Sequence, residues 1–234
     1  MLLAAMAVLT TGCGTVPLQT MNQSGTTLRD QTVAVTVREK PKFATISLAD
    51  ATVVAVPTVV LGLGVFGALA TGIVVGGVHD LVQNKERNSH TARLPDPSQA
   101  IAAQLTAILA KRDKIKVANG TVEAPVGAKA ADIAVAARGK ADYVLDIETL
   151  NWGAYYQLTS WTSYDVRLTA IASLINVKTG AVVASATCKD ANLTKPKGPS
   201  YVQLMANDSA LIKQMVAREV STCVATLKRE MLVL

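Results

Sequence analysis

Apolar residues alternate with polar ones at Val33, Val35 and Val37, which predicts a strand over TVAVTV. FATISL, after Lys40-Pro41-Lys42, predicts a second extended piece. From Ser98 to about Lys111, Ile101, Leu105 and Leu109 recur every four residues, the mark of a helix with Ser98 as its cap. KIKVAN reads as a short strand stopped at Asn119-Gly120. Ala128 to Arg138 reads as an alanine-rich helix stopped by Gly139, and ADYVLDIETLNW as a strand. In SYDVRLTAIASLINV the residues Val166, Leu168, Ala170, Ala172 and Leu174 share one face. Lys178-Thr179-Gly180 then turns the chain, and AVVASATC returns as the partner of a long hairpin. Ile212, Val216, Val220, Cys223 and Leu227 form one helical stripe, with Asp208 as the expected cap, an end near Met231, and Lys213, Arg218, Glu219 and Lys228 off the stripe. This order predicts an α+β fold (an α/β sandwich): one mixed sheet with a long C-terminal hairpin and helices packed on it.

Residues 51–78 break the pattern, because they carry no charge at all. Gly62-Leu63-Gly64-Val65-Phe66-Gly67 matches G-x-G-x-x-G. A dinucleotide site also needs an uninterrupted strand before that turn and a second strand leading to an acid. Pro57 interrupts the first, no strand leads into Asp80, and further glycines follow, so no nucleotide cofactor is expected. Gly64, Ala68, Gly72 and Gly76 are instead spaced by four, one smooth stripe on a helix that lets backbones approach closely. The 28 uncharged residues are long enough to cross a bilayer. Two readings stay open, a membrane-contacting or self-associating segment and a helix buried against the sheet.

The chain opens MLLAAMAVLTTGCG. Leu2 to Leu9 is too short to span a bilayer, and a short apolar run followed by small residues reads as a secretory signal. Thr10-Thr11-Gly12-Cys13 resembles the bacterial lipobox, with Thr10 in place of the usual leucine. The resemblance implies that Cys13 is lipidated and becomes the mature N-terminus, and Gly14 after it implies the outer membrane. No Lys or Arg precedes the apolar run, so the true start is expected upstream. The expected organisation is a signal peptide over 1–12, a tether over 13–30, and a single periplasmic domain over 31–234 that carries the 51–78 insert. An oxidising compartment permits a bridge between the two remaining cysteines, Cys188 and Cys223, although two separate buried thiols fit the sequence as well.

The formal charge of +6 is scattered, with no run of five like charges. It reads as a basic surface, or as a face for anionic head groups or glycan. Nucleic acid is not an expected partner, since no basic stripe is interleaved with aromatics. No enzyme signature emerges and no metal or other cofactor is expected. The two histidines, His79 and His90, lie in a polar segment with no readable triad. Asp142, Asp146 and Glu148 share a strand face, expected to be solvated. Trp152, Tyr155, Tyr156 and Trp161 crowd into ten residues, either as core cover or as a contact for a partner or a membrane interface.

The lipobox, the order of elements and the hairpin from Asp165 to Val182 together resemble two groups of bacterial envelope lipoproteins. These are the family of the curli-secretion-channel lipoprotein and that of the lipoprotein activators of peptidoglycan synthases, whose α/β domain is of the TolB N-terminal kind. Their hairpin has the form D-V-x-L-x-A-x-L-x-D-x-x-T-G-x-V; the similar run here, Asp165 to Val182, is two residues longer, with Asn176 in place of the usual acid and Thr179-Gly180 intact. The resemblance covers roughly residues 97–230. It implies a non-enzymatic, outer-membrane component that assembles with copies of itself or with other envelope proteins. The alternative is a monomeric periplasmic adaptor that binds an envelope enzyme or glycan.

Overall fold

Alternation along three segments and glycine at their turns dictate the centre of the molecule. A computed structural model of the chain describes residues 20–21, 27–46, 93–125, 127–157, 160–189 and 198–233. The strands are β1 (Thr32–Arg38), β2 (Ala44–Ile46), β3 (Lys116–Ala124), β4 (Tyr143–Gln157), β5 (Ser160–Asn176) and β6 (Val182–Lys189). The helices are α1 (Pro97–Asp113), α2 (Ala130–Ala137) and α3 (Tyr201–Glu230). The sheet runs β3-β1-β4-β5-β6, parallel on the β3–β1–β4 side and antiparallel from β4 onward, with β2 also on β4. The fold is α+β, as the sequence predicts.

The hairpin face buries as expected. Val166, Leu168, Ala170, Ala172 and Leu174 pack with Ile101, Leu105 and Leu109 of α1 and with Ile212, Val216, Val220, Cys223 and Leu227 of α3. On the other face α2 packs Ile133, Ala134 and Ala137 against Ala34, Val122, Val144 and Ile175. The chain is thus a sheet sandwiched between a two-helix layer and a single short helix. Cys188 of β6 and Cys223 of α3 form a disulfide, with Cα atoms 5.1 Å apart and a sequence separation of 35.

Four local expectations are corrected. Asp96 caps α1, accepting hydrogen bonds from the Ser98 amide and hydroxyl at 2.9 and 2.7 Å, so Ser98 is the second helical residue after Pro97. A proline there donates nothing that the first turn needs. Gly120 does not stop β3. It sits at positive φ inside a shift of register against β1, between Val33 and Val35, and the strand continues to Ala124. α3 begins at Tyr201 under a Ser200–Gln203 capping box, not at Asp208. Asn207, Asp208 and Ser209 all have left-handed backbone and kink the helix, and Asp208 accepts from Lys213 at 2.8 Å. Glu219, expected on the solvent side, is buried and lies 3.7 Å from Arg218.

The chain enters and finishes at one end of the sheet. The Met21 amide donates to the Met231 carbonyl, the Asp30 amide to the Asp113 carbonyl, and Leu28 is fully covered. At the opposite end β2 pairs Ile46 with Tyr155, one step before the tip of the β4–β5 hairpin.

Candidate functional site

Of the residues singled out from sequence, Cys13 and the stripe Gly64, Ala68, Gly72 and Gly76 lie outside the described residues, as do His79 and His90. The aromatic stretch NWGAYYQ forms the second half of β4, and Trp161 is the second residue of β5. Trp152 is 2% exposed, so it is core and not a partner contact. Strand periodicity points it into the helix-covered face opposite Leu168. Its indole N–H donates to the Pro41 carbonyl at 2.7 Å, and its ring meets Phe43 edge-on at 5.0 Å. Gly153 beside it is required for space, since a Cβ there would stand 2.3 Å from the Ala44 carbonyl oxygen. Trp152 and Gly153 therefore clamp Pro41–Ile46 onto β4.

Tyr155 projects to the other face, half-buried. Its hydroxyl donates to Asn151 Oδ1 at 2.6 Å and the Arg167 guanidinium lies 5.7 Å from its ring centre. Burial raises its pKa above the ordinary phenol value, while the hydrogen bond with Asn151 and the charge of Arg167 oppose the rise. Tyr156 pairs with Tyr164 across the ladder.

The acidic face is the second correction. Asp146 is not solvated. It is buried beneath β1, accepting from Arg38 Nε at 2.8 Å and Nη2 at 2.9 Å, and from Thr36 Oγ1 at 2.8 Å. The bidentate fork is the strong form of this pair. The hydrogen bond with Asp146 is the chief reason that the Arg38 pKa is raised, and burial works against it. Glu148, 4.0 Å from Arg38 Nη2, is half-exposed, and Asp142 accepts from the Thr32 amide at 2.8 Å. A carboxylate whose lone pairs are taken by a guanidinium and a hydroxyl is spoken for as a base.

Because β1 and β2 both pair with the same edge of β4, at 143–145 and 153–155, that edge is open between them. Residues 39–43 loop outward there and enclose a notch of about 300 Å³, lined by Arg38, Lys40, Lys42, Ser98, Glu148 and Thr149. Lys40 Nζ spans it to the Leu94 carbonyl at 2.9 Å, and the buried Thr149 hydroxyl has no hydrogen-bond partner among the described residues. With Glu39 also in the lining, three cations face two carboxylates there. No group of His, Cys, Asp and Glu among the described residues is arranged to hold a metal ion.

The charge distribution is the feature that the sequence conceals. The last turns of α1 and α3 place Lys111, Arg112, Lys228 and Arg229 at the end where the chain enters. Lys114 and Lys116 follow α1 there, and Arg29 precedes β1. Arg138 and Lys140 link α2 to β4, and Lys178 occupies the β5–β6 turn beside them. The carboxylates of the same end are Asp30, Asp113, Asp142 and Glu230. Ten cations against four anions make +6, whereas the remaining described residues carry nine of each and sum to zero. The net formal charge of the described residues thus resides at one pole.

No known protein family matches the chain, and no curated protein matches it. Solved structures similar to it include the following three. A DUF330-family protein from Xanthomonas campestris is 17% identical with TM-score 0.31, over 54% of this chain and 58% of its own, so the likeness spans little more than half of that protein. A hypothetical protein from Chlamydia trachomatis is 11% identical with TM-score 0.36, over 86% of this chain and 98% of its own. A PelC dodecamer from Paraburkholderia phytofirmans is 17% identical with TM-score 0.28, over 84% of this chain and 88% of its own.

Proposed function

We propose that the chain is a non-enzymatic outer-membrane lipoprotein, a structural, assembly or secretion component of the cell envelope that associates with copies of itself. The cysteine arithmetic carries the reading. The chain has three cysteines, and two of them are joined to each other within the fold. Cys13, at the lipobox, is the one left over for a lipid. A disulfide that staples an edge strand to a helix also suits an oxidising envelope compartment. The locking of Asp146 by Arg38 and Thr36 removes the one buried acid of its strand from acid–base work.

Self-association is assigned to the Gly64, Ala68, Gly72 and Gly76 stripe, with Tyr155, Tyr156 and Trp161 near the segment's root, since β2 leads into it beside Tyr155. The adaptor alternative is weaker, because Trp152 belongs to the core and is lost to any aromatic contact patch. Labelled palmitate tests the anchor: incorporation by the wild type and none by Cys13→Ala is the expected result, and equal labelling overturns it. The mass of the detergent-solubilised particle tests association. A discrete oligomer that Gly72→Leu dissociates supports the reading, and a monomer in both forms refutes it.

A further inference from the structure

We infer that the basic pole is a docking surface for an anionic bilayer, and that the domain stands with this end against the head groups of the membrane to which Cys13 ties it. The inference rests on the lipoprotein reading for the identity of that membrane. Two independent observations on the fold carry it. The first is segregation: +6 at one end and zero over the rest of the described residues. Helix macrodipoles account for cations in the last turns of α1 and α3. The C-terminus of α2 likewise accounts for Arg138 and Lys140, but no helix end accounts for Arg29, Lys116 or Lys178, which come from strand starts and a turn. Nine of the ten cations are exposed, while the four carboxylates are already engaged: Asp30 with Arg29, Asp113 with Arg112, Glu230 with Arg229, and Asp142 with the Thr32 amide.

The second observation is the path of the chain. Thr20 and Met21 are seated at this same pole, on the end of α3. From Cys13 to Thr20 the backbone can reach at most about 25 Å. A lipid on Cys13 therefore holds the basic end close to the surface, where each Lys or Arg strengthens association about five-fold. Diffuse positive charge facing a plane is the complement of anionic head groups; sequence-reading of a nucleic acid would need base-directed side chains or stacking aromatics as well.

The test uses the full chain as Cys13→Ala, so that electrostatic docking is read without acylation, and the palmitate experiment on the wild type stands separately. Sedimentation with vesicles of one-third phosphatidylglycerol in phosphatidylcholine is compared with pure phosphatidylcholine, at about 0.1 M salt, where charges act over about 10 Å. The quadruple variant Lys116→Gln, Arg138→Gln, Lys140→Gln, Lys178→Gln is set beside Arg93→Gln, Lys189→Gln, Lys213→Gln, Arg218→Gln, which removes the same charge elsewhere. Circular dichroism verifies that both fold. The expected result is a preference for the anionic vesicles that falls about 100-fold or more in the first variant and only a few-fold in the second. Equal losses in the two variants, equal binding to both vesicle types, or tighter binding to duplex DNA than to the anionic vesicles at the same salt overturns the proposal.

Discussion

Truncating Asp146 to alanine should be among the most damaging single changes in the domain. The side chains of Arg38 and Asp146 are 8% and 10% exposed, and the carboxylate receives three hydrogen bonds of 2.8 to 2.9 Å. Asp146→Ala leaves a guanidinium that stays charged and sits largely out of water, with nothing in place of its carboxylate. Removing one partner of a buried pair costs about 3–5 kcal/mol. With a urea slope of about 2 kcal/mol/M, the midpoint should fall by about 1.5–2.5 M. The double variant Arg38→Met, Asp146→Leu removes both charges, and replacing a buried pair with apolar side chains is often neutral, so it should unfold within about 1 kcal/mol of the wild type. Urea titrations followed by circular dichroism, with the disulfide intact, give both numbers. A single variant that loses less than about 1 kcal/mol, or a double variant as weak as the single, would refute the reasoning that burial sets the energy of this pair.

Three further outcomes are expected. Reducing the Cys188–Cys223 bond, or making Cys188→Ala with Cys223→Ala, frees a loop of 35 residues and should lower stability by about 4 kcal/mol on loop-closure entropy, read from denaturation with and without reductant. Gly153→Ala should push Ala44 off β4, cost about 1–3 kcal/mol, and speed hydrogen exchange in β2 before the rest of the sheet. Tyr155 holds its proton more tightly folded than unfolded. Its contribution to stability is therefore complete below the unfolded value of about pH 10 and is lost as the pH rises through the raised folded value. A Tyr155→Phe chain should lack that part of the alkaline decline in melting temperature.

The β5–β6 hairpin and the stripes of α1 and α3 were legible because each is a local periodicity with one buried face. Val166 to Leu174 repeats every two residues, and Ile212 to Leu227 every three or four. The disulfide followed as one of two options, since both cysteines fall on those buried faces. What escaped depends on partners far away in sequence. Asp146 looked solvated because Arg38, 108 residues earlier, becomes its neighbour only when β1 lies parallel beside β4. Asp208 looked like a cap because nothing in its neighbours announces three left-handed residues in a row, whereas Ser200 and Gln203 upstream carry the usual capping signature. Gly120 looked like a stop because a shift of register is defined by the partner strand. The charge looked scattered because the basic side chains arrive from the ends of separate elements, and only the fold gathers those ends.

The length of β4 sets how far apart the two ends of the sheet lie. Its 15 residues extend about 45 Å at the usual rise per residue. The described chain enters at the end where β4 begins, and β2 joins β4 beside the thirteenth residue of that strand. β2 therefore meets the sheet about 40 Å from the pole where the described chain enters, a span greater than the roughly 30 Å of a hydrocarbon core.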